Sequence, residues 1–289
     1  NGYHASRNNL RVKVTTTMLD RVKIDANFGY TDVDNWTPAS SDSSSDGLFY
    51  KALRSSPLTP VRFTDGGWGY GGSSANPIAI IYDGGFINYK ARETNLSLGG
   101  EMEILKGFTA KIQYATRLKD VLRKQQSNKI QHYIPDTDTP LASSSTTSSI
   151  SQRDISERYQ NILVQGDYER TFGKHTVHLL AGFSQEWNEN QTMNASRQDL
   201  VSDDLHVLNA GTEKFDNDGM GEEWALRSGF GRINYNFDDR YLFSLTVRGD
   251  GSSTFAPNNR WGIFPSAALA WKLKNEKFLK NVSWLDNLK

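Results

Sequence analysis

The run Gly66-Gly67-Trp68-Gly69-Tyr70-Gly71-Gly72 is the first place to look for chemistry, because a glycine loop can wrap its backbone N–H groups around a phosphate. That mechanism needs a strand before the loop, a lysine-serine pair at its end and a helix after it. The sequence around 62–76 supplies none of them. It reads as a flexible loop whose rings have another use. Trp68 and Tyr70, with Trp36 upstream, are candidates to stack on a sugar or peptide arriving from outside. His175 and His178 are three apart, which on a strand sends them to opposite faces and rules out a shared metal. His4, His132 and His206 are far apart in sequence. Asp216-Asn217-Asp218-Gly219 has the form of half a calcium loop, but the twelfth position is Arg227 where a bidentate glutamate is required. Glu222 and Glu223 are the available substitutes, and a plain polar loop is the favoured reading. With 0 cysteines, thiolate sites and disulfides are excluded. No nucleophile elbow and no Ser/His/Asp grouping appears. The expectation is no enzyme, no catalytic residue, no metal and no cofactor, with calcium in a loop as the minor alternative.

The elements that would position any site are strands. Tyr241, Phe243, Leu245 and Val247 alternate with Ser244, Thr246 and Arg248, and the pattern returns from Trp261 to Trp271. Period two means strand. The same alternation marks hairpins at 10–30, 96–114, 162–187 and 233–247. Turns near 20, 106, 172 and 239 are short. The intervening loops 31–92, 118–156 and 188–224 are long, and 249–259 is shorter. Short turns on one rim and long loops on the other is the arrangement of bacterial outer-membrane barrels, whose strands cross in about 9–11 residues. Residues 136–152 are low in complexity and read as mobile. Leu48, Phe49, Ala52 and Leu53 have helical spacing, so a short helix is expected near 46–54.

Composition agrees. The 289 residues carry 33 basic and 33 acidic side chains and a formal net charge of 0, which argues against a nucleic-acid partner. Mean hydropathy is −0.61. No apolar run of about 18 residues exists, which excludes a membrane-spanning helix but not a membrane barrel. The polar start, Asn1 to Asn9, has no leader character, so the chain is expected to begin inside a longer protein.

Arg248 to Trp271, RGDGSSTFAPNNRWGIFPSAALAW, resembles the barrel signature of the SusC/RagA family of TonB-dependent outer-membrane transporters. Leu226 to Leu242, Tyr50 to Val61 and Glu103 to Lys111 extend the resemblance, and Trp284 to Lys289 is similar to the start of a further strand. Gly249 departs from it, standing where the family has a larger residue. The resemblance implies an all-β fold: antiparallel up-and-down strands forming part of a large transmembrane barrel with long extracellular loops. A family barrel has about 22 strands around a plug. Residues 1–289 would be a partial barrel of about nine strands and the start of a tenth, with the plug and its TonB-contacting box before Asn1 and the remaining strands after Lys289. The implied location is the outer membrane of a Gram-negative bacterium. The implied activity is TonB-dependent import of oligosaccharides or peptides. Its partners would be a SusD-like surface lipoprotein, the TonB complex and membrane lipid. A siderophore or cobalamin receptor is the alternative within transport; a surface adhesin or soluble glycan-binding module is the alternative outside it. Within the motif, Arg248, Asp250, Gly251, Ser252, Arg260 and Trp261 are expected to brace the wall or plug rather than touch substrate. Ile24, Phe28, Leu98, Ile112, Val164, Leu179, Phe243, Leu245 and Leu269 are expected to face lipid, edged by Tyr30, Tyr114, Trp187, Tyr241 and Trp271.

Overall fold

The computed structural model describes residues 4–19, 21–39, 47–55, 57–58, 60–70, 76–133, 140–143, 147–279, 282 and 284–289. The wall strands are β1 (His4–Met18), β2 (Val22–Pro38), β3 (Gly85–Leu105) and β4 (Phe108–Ser127). A short hairpin follows, β5 (Gln131–Tyr133) with β6 (Pro140–Ser143). The wall resumes with β7 (Ser149–Phe172), β8 (His175–Leu200), β9 (Gly211–Phe237), β10 (Tyr241–Ser252) and β11 (Trp261–Trp271). The nine wall strands form one antiparallel sheet in strictly sequential order. Helices α1 (Leu48–Arg54) and α2 (Pro77–Asp83) lie between β2 and β3.

Tight turns fix the register. Gly107 sits at φ 83°, and a Cβ there would lie 2.4 Å from the Glu169 carbonyl oxygen. Asp238 and Asp239, at φ 55° and 52°, make the two-residue left-handed turn that matches strand twist. From these turns the two faces follow. Ile24, Gly100, Ile112, Val164, Phe183, Gly229, Gly249 and Ile263 share one cross-strand row. No second sheet covers this face among the described residues. Ile112 is 53 % and Leu269 83 % exposed. Ile24, Phe28, Leu98, Val164 and Leu179 are exposed too, while Phe243 and Leu245 are half-buried by their neighbours. Large apolar side chains on an uncovered sheet face belong against lipid.

The strands are longer than the expected bilayer crossing. β9 has 27 residues, a span of about 90 Å at roughly 3.3 Å per residue, and the hydrocarbon core is about 30 Å thick. The extra length is all on the long-loop side. The expected loop 188–224 is therefore mostly strand, and the connection is only 201–210. Likewise 31–92 shrinks to 39–84, 118–156 to 128–148, and 249–259 to 253–260. Of the low-complexity run, Pro140–Ser143 form β6 and Ser149 to Gln152 open β7; 134–139 and 144–146 are outside the described residues. Trp284 to Lys289 is turn and irregular chain rather than the start of a strand. The buried hydrophobic cluster is not in the sheet. Leu48, Trp68, Ala79, Ile80 and Ile130 form it inside the long-loop cluster.

Candidate functional site: the lumen wall and the two rims

The face opposite the apolar band carries the candidate binding surface. One cross-strand row runs Arg11, Gly29, Asn95, Arg117, Tyr159, Asn188, Trp224. Around it lies a concavity of about 790 Å³, lined among others by Arg7, Asn9, Asn27, Ser97, Arg117 and Tyr159. Of its charges, Arg117 is paired with a carboxylate, whereas Arg7 donates to the Asn9 side chain and Arg11 has no carboxylate partner among the described residues. The Arg117 guanidinium donates to Glu157 at 2.5 Å, and the Tyr159 hydroxyl donates to Glu186 at 2.8 Å. Trp224 lies 6.2 Å from the Tyr159 ring. Asn9 accepts from the Thr31 hydroxyl at 3.0 Å. Two aromatic platforms among amides and arginines can hydrogen-bond and stack on a polar solute. The surface holds no arrangement that would activate a nucleophile.

The expected stacking residues are placed otherwise. Trp36 projects on the lipid-side face above the membrane band, two residues beyond Asp34, and stacks on Phe86 at 4.1 Å. Trp68 is only 7 % exposed. The Arg62 guanidinium covers it at 3.6 Å, and its indole N–H donates to Asp83 at 2.6 Å. Tyr70 is half-buried, 5.3 Å from the His132 ring. The glycine loop is ordered over the described residues. Phe63 N–H donates to Gly67 O at 2.8 Å, and a Cβ on Gly69 would overlap Pro60. Glycine here serves close packing, so the indole goes inward. Asn76 ties the cluster together: its side chain accepts from Ile78 and Ala79 at the start of α2 and donates to Val61 O and Gly69 O. The connections are stitched to one another, since Gln126 donates to Asp203 O and accepts from His206.

Asp216 to Gly219 lie inside β9, where successive side chains point to opposite faces, so they do not wrap an ion. No metal-competent group of three His, Asp or Glu occurs among the described residues. His178 bonds Asp167 at 2.9 Å on the lumen face, and His175 stacks on Phe172 and lies tilted 5.0 Å from the Phe237 ring on the other.

The motif 248–261 is bonded within itself and to β9. Arg248 donates to Asp250 at 2.7 and 3.0 Å and to Ser228 at 3.0 Å, tying β10 to β9. Ser252 N–H donates to Arg260 O, Ser253 Oγ accepts from Ala225 N–H, and Arg260 donates to Phe255 O. Gly251 leaves room for the Trp261 ring, which a Cβ would approach to 2.9 Å.

At the short-turn rim, Phe237, Tyr241 and Trp271 stack in a ladder. Tyr241 and Trp271 thus mark this edge of the apolar band as expected. Beneath it Asp238 meets Lys174 at 3.1 Å and Arg240 at 2.5 Å, and Arg240 reaches Glu276 at 2.9 Å. The donors hold three carboxyls below the usual carboxylate range: Trp271 and Tyr241 on Glu276, Lys174 on Asp238, and Lys272 on Asp239. At the other girdle, Gln160 satisfies itself on the lipid face by donating to the Tyr114 hydroxyl and accepting from the Trp187 indole.

An antiparallel wall with a lipid-facing apolar band, ringed edges and a polar inner face is that of an outer-membrane barrel, and the likeness to known proteins narrows it to the TonB-dependent receptors. The chain is 59 % identical over 65 residues to TonB-dependent receptor SusC of Bacteroides thetaiotaomicron, covering 22 % of the chain and 6 % of SusC. It is 36 % identical over 116 residues to TonB-dependent receptor P3 of Formosa agariphila, covering 39 % of the chain and 12 % of P3. Among solved structures, the RagAB peptide importer in its open-open state superposes with a TM-score of 0.76 at 19 % identity, over 96 % of this chain and 31 % of that one. No protein-family model matches. The resemblance read from the sequence is borne out: over the matched stretches the chain is similar to TonB-dependent receptors, SusC among them, which are proteins of the Gram-negative outer membrane. It spans under a third of the RagAB chain it matches.

Proposed function

We propose that the longer protein containing this wall imports oligosaccharides or peptides across the outer membrane, driven by TonB through a plug outside this chain and assisted by a SusD-like surface lipoprotein. The observation that carries this reading is the lumen row from Arg11 to Trp224, whose amides, two rings and ion-paired Arg117 suit a hydrogen-bonding solute. The RagAB assembly, to which this wall is similar in fold, is a peptide importer, which supports it. The test is uptake by cells carrying the full-length gene, its deletion, and Trp224→Ala. Uptake of labelled glycan or peptide is expected to vanish in the deletion and on loss of TonB. Trp224→Ala should weaken apparent affinity about 2- to 10-fold through the lost ring contact. Uptake of a ferric siderophore or cobalamin in place of both solutes would overturn the reading.

A further inference from the structure

The lipid face is not evenly filled. Between β4 and β10 it carries an apolar groove of about 520 Å³. Its floor is the cross-strand row Gly166, Ala181, Gly231, where no side chain longer than a methyl rises from the sheet. Phe108 walls one side, its ring 3.1 Å from where a Gly166 Cβ would be. Tyr168, Leu179, Ile233 and Leu245 line its periplasmic end. The groove lies within the band that faces hydrocarbon.

A second observation lies at its mouth. Arg170 is two residues beyond Tyr168 on β7 and so on the same, lipid-side face. It pairs across the strand with Val177, two residues short of Leu179. Its side chain is exposed and has no acidic partner among the described residues. Elsewhere at this rim Lys174 and Arg240 are engaged with Asp238, and Lys272 with Asp239. From Arg170 to Gly166 is about 13 Å along the strand, a depth of about 10 Å at the usual barrel tilt and so most of a leaflet of about 15 Å. A free guanidinium one cross-strand row inside the aromatic edge can snorkel outward to the headgroups, and above an apolar groove it matches a phosphate over an acyl chain.

We propose that this groove is a specific site for one glycerophospholipid of the periplasmic leaflet, with an acyl chain on Gly166, Ala181 and Gly231 and the phosphate on Arg170. The inference rests on the membrane placement and not on what is transported, so failure of the import reading leaves it standing. Acyl chain rather than a second barrel is the occupant, because a flat partner wall would leave the recess unfilled and would put no anion on Arg170.

The full-length transporter, extracted in mild detergent and stripped stepwise, would be compared by native mass spectrometry with Ala181→Leu and Arg170→Gln. Ala181→Leu fills the floor with an apolar side chain that lipid tolerates, and Arg170→Gln is an exposed rim change. Heat-modifiable gel migration verifies that each is folded. The wild type should retain one phospholipid after bulk lipid is gone, and each variant should lose it with occupancy lowered about tenfold. Equal retention in all three proteins, no retained phospholipid in the wild type, retained lipopolysaccharide instead, or a dimer that Ala181→Leu dissolves would each overturn the proposal.

Discussion

The two rims of this wall are held by opposite physics. The short-turn rim is a network of charge: Lys174, Asp238, Arg240, Glu276, Lys272 and Asp239 in ion pairs of 2.5–3.1 Å, under a ladder of rings. The loop rim is a small apolar core, with Trp68, Ala79, Ile80 and Ile130 buried and neutral hydrogen bonds around Asn76. A two-residue turn has no interior to fill, so only charge and backbone geometry can hold it. A connection as long as 39–84 can make its own core, and does. The difference should appear in which rim responds to cavities and which to pH.

The largest effect is expected from Trp68→Ala, which removes the centre of the loop core. Truncating a buried indole costs about 3–5 kcal/mol. The loss should be local: protease should cut around 47–70 on intact cells while heat-modifiable migration of the barrel is unchanged. Equal resistance to cutting would mean that the cluster is not a cooperative core. Leu245→Arg tests the wall between the rims. A guanidinium on the lipid face costs about 2–4 kcal/mol at the midplane, less toward an interface, and should lower folding yield with both rims intact in whatever protein does insert. Asp250→Ala frees Arg248 from its half-exposed partner, worth about 1 kcal/mol. It should reduce folding yield more than substrate affinity, and normal yield with lost uptake would return the motif to substrate binding.

The smallest effect, and the sharpest contrast, is in acid. Asp238, Asp239 and Glu276 have folded pKa values below their ordinary ones. Their stabilisation is complete above the unfolded carboxylate value of about 4 and is lost as pH falls through the lower folded values. Hydrogen exchange at the 238–240 turn should therefore rise below about pH 4, more so than in the 62–70 segment, and Glu276→Gln should remove part of that pH dependence. A loop rim that loosens first on acidification would reverse the comparison.

The strand positions within the bilayer were legible because one face there must be apolar; Phe243 and Leu245 between Ser244 and Thr246 leave one assignment. The upper halves were not. Glu189, Asn190, Gln191, Glu222 and Glu223 meet water on one face and lumen on the other, so the ladder continues with no alternation to reveal it. Trp68 read as exposed because glycines surround it, whereas those glycines let the chain pack onto Pro60. Helix α2 was announced by Asn76-Pro77, a capping residue before a proline at the first helical position, and went unread. Tyr159 and Trp224 were missed because neither stands out alone. The four short turns fix the register within each hairpin, and pairing across the long connections then brings both into one row.

The sequential strand order also bears on how the wall is made. Every strand hydrogen-bonds to the wall strand before it in the chain, so each new hairpin finds its template already at the growing edge, and no connection has to thread past another. The long excursion at 39–84 hardly disturbs this, since each doubling of a closing loop adds only about 0.6 kcal/mol. Assembly of this sheet is thus a repeated local step, and its pace should follow the turns rather than the length of the chain between them.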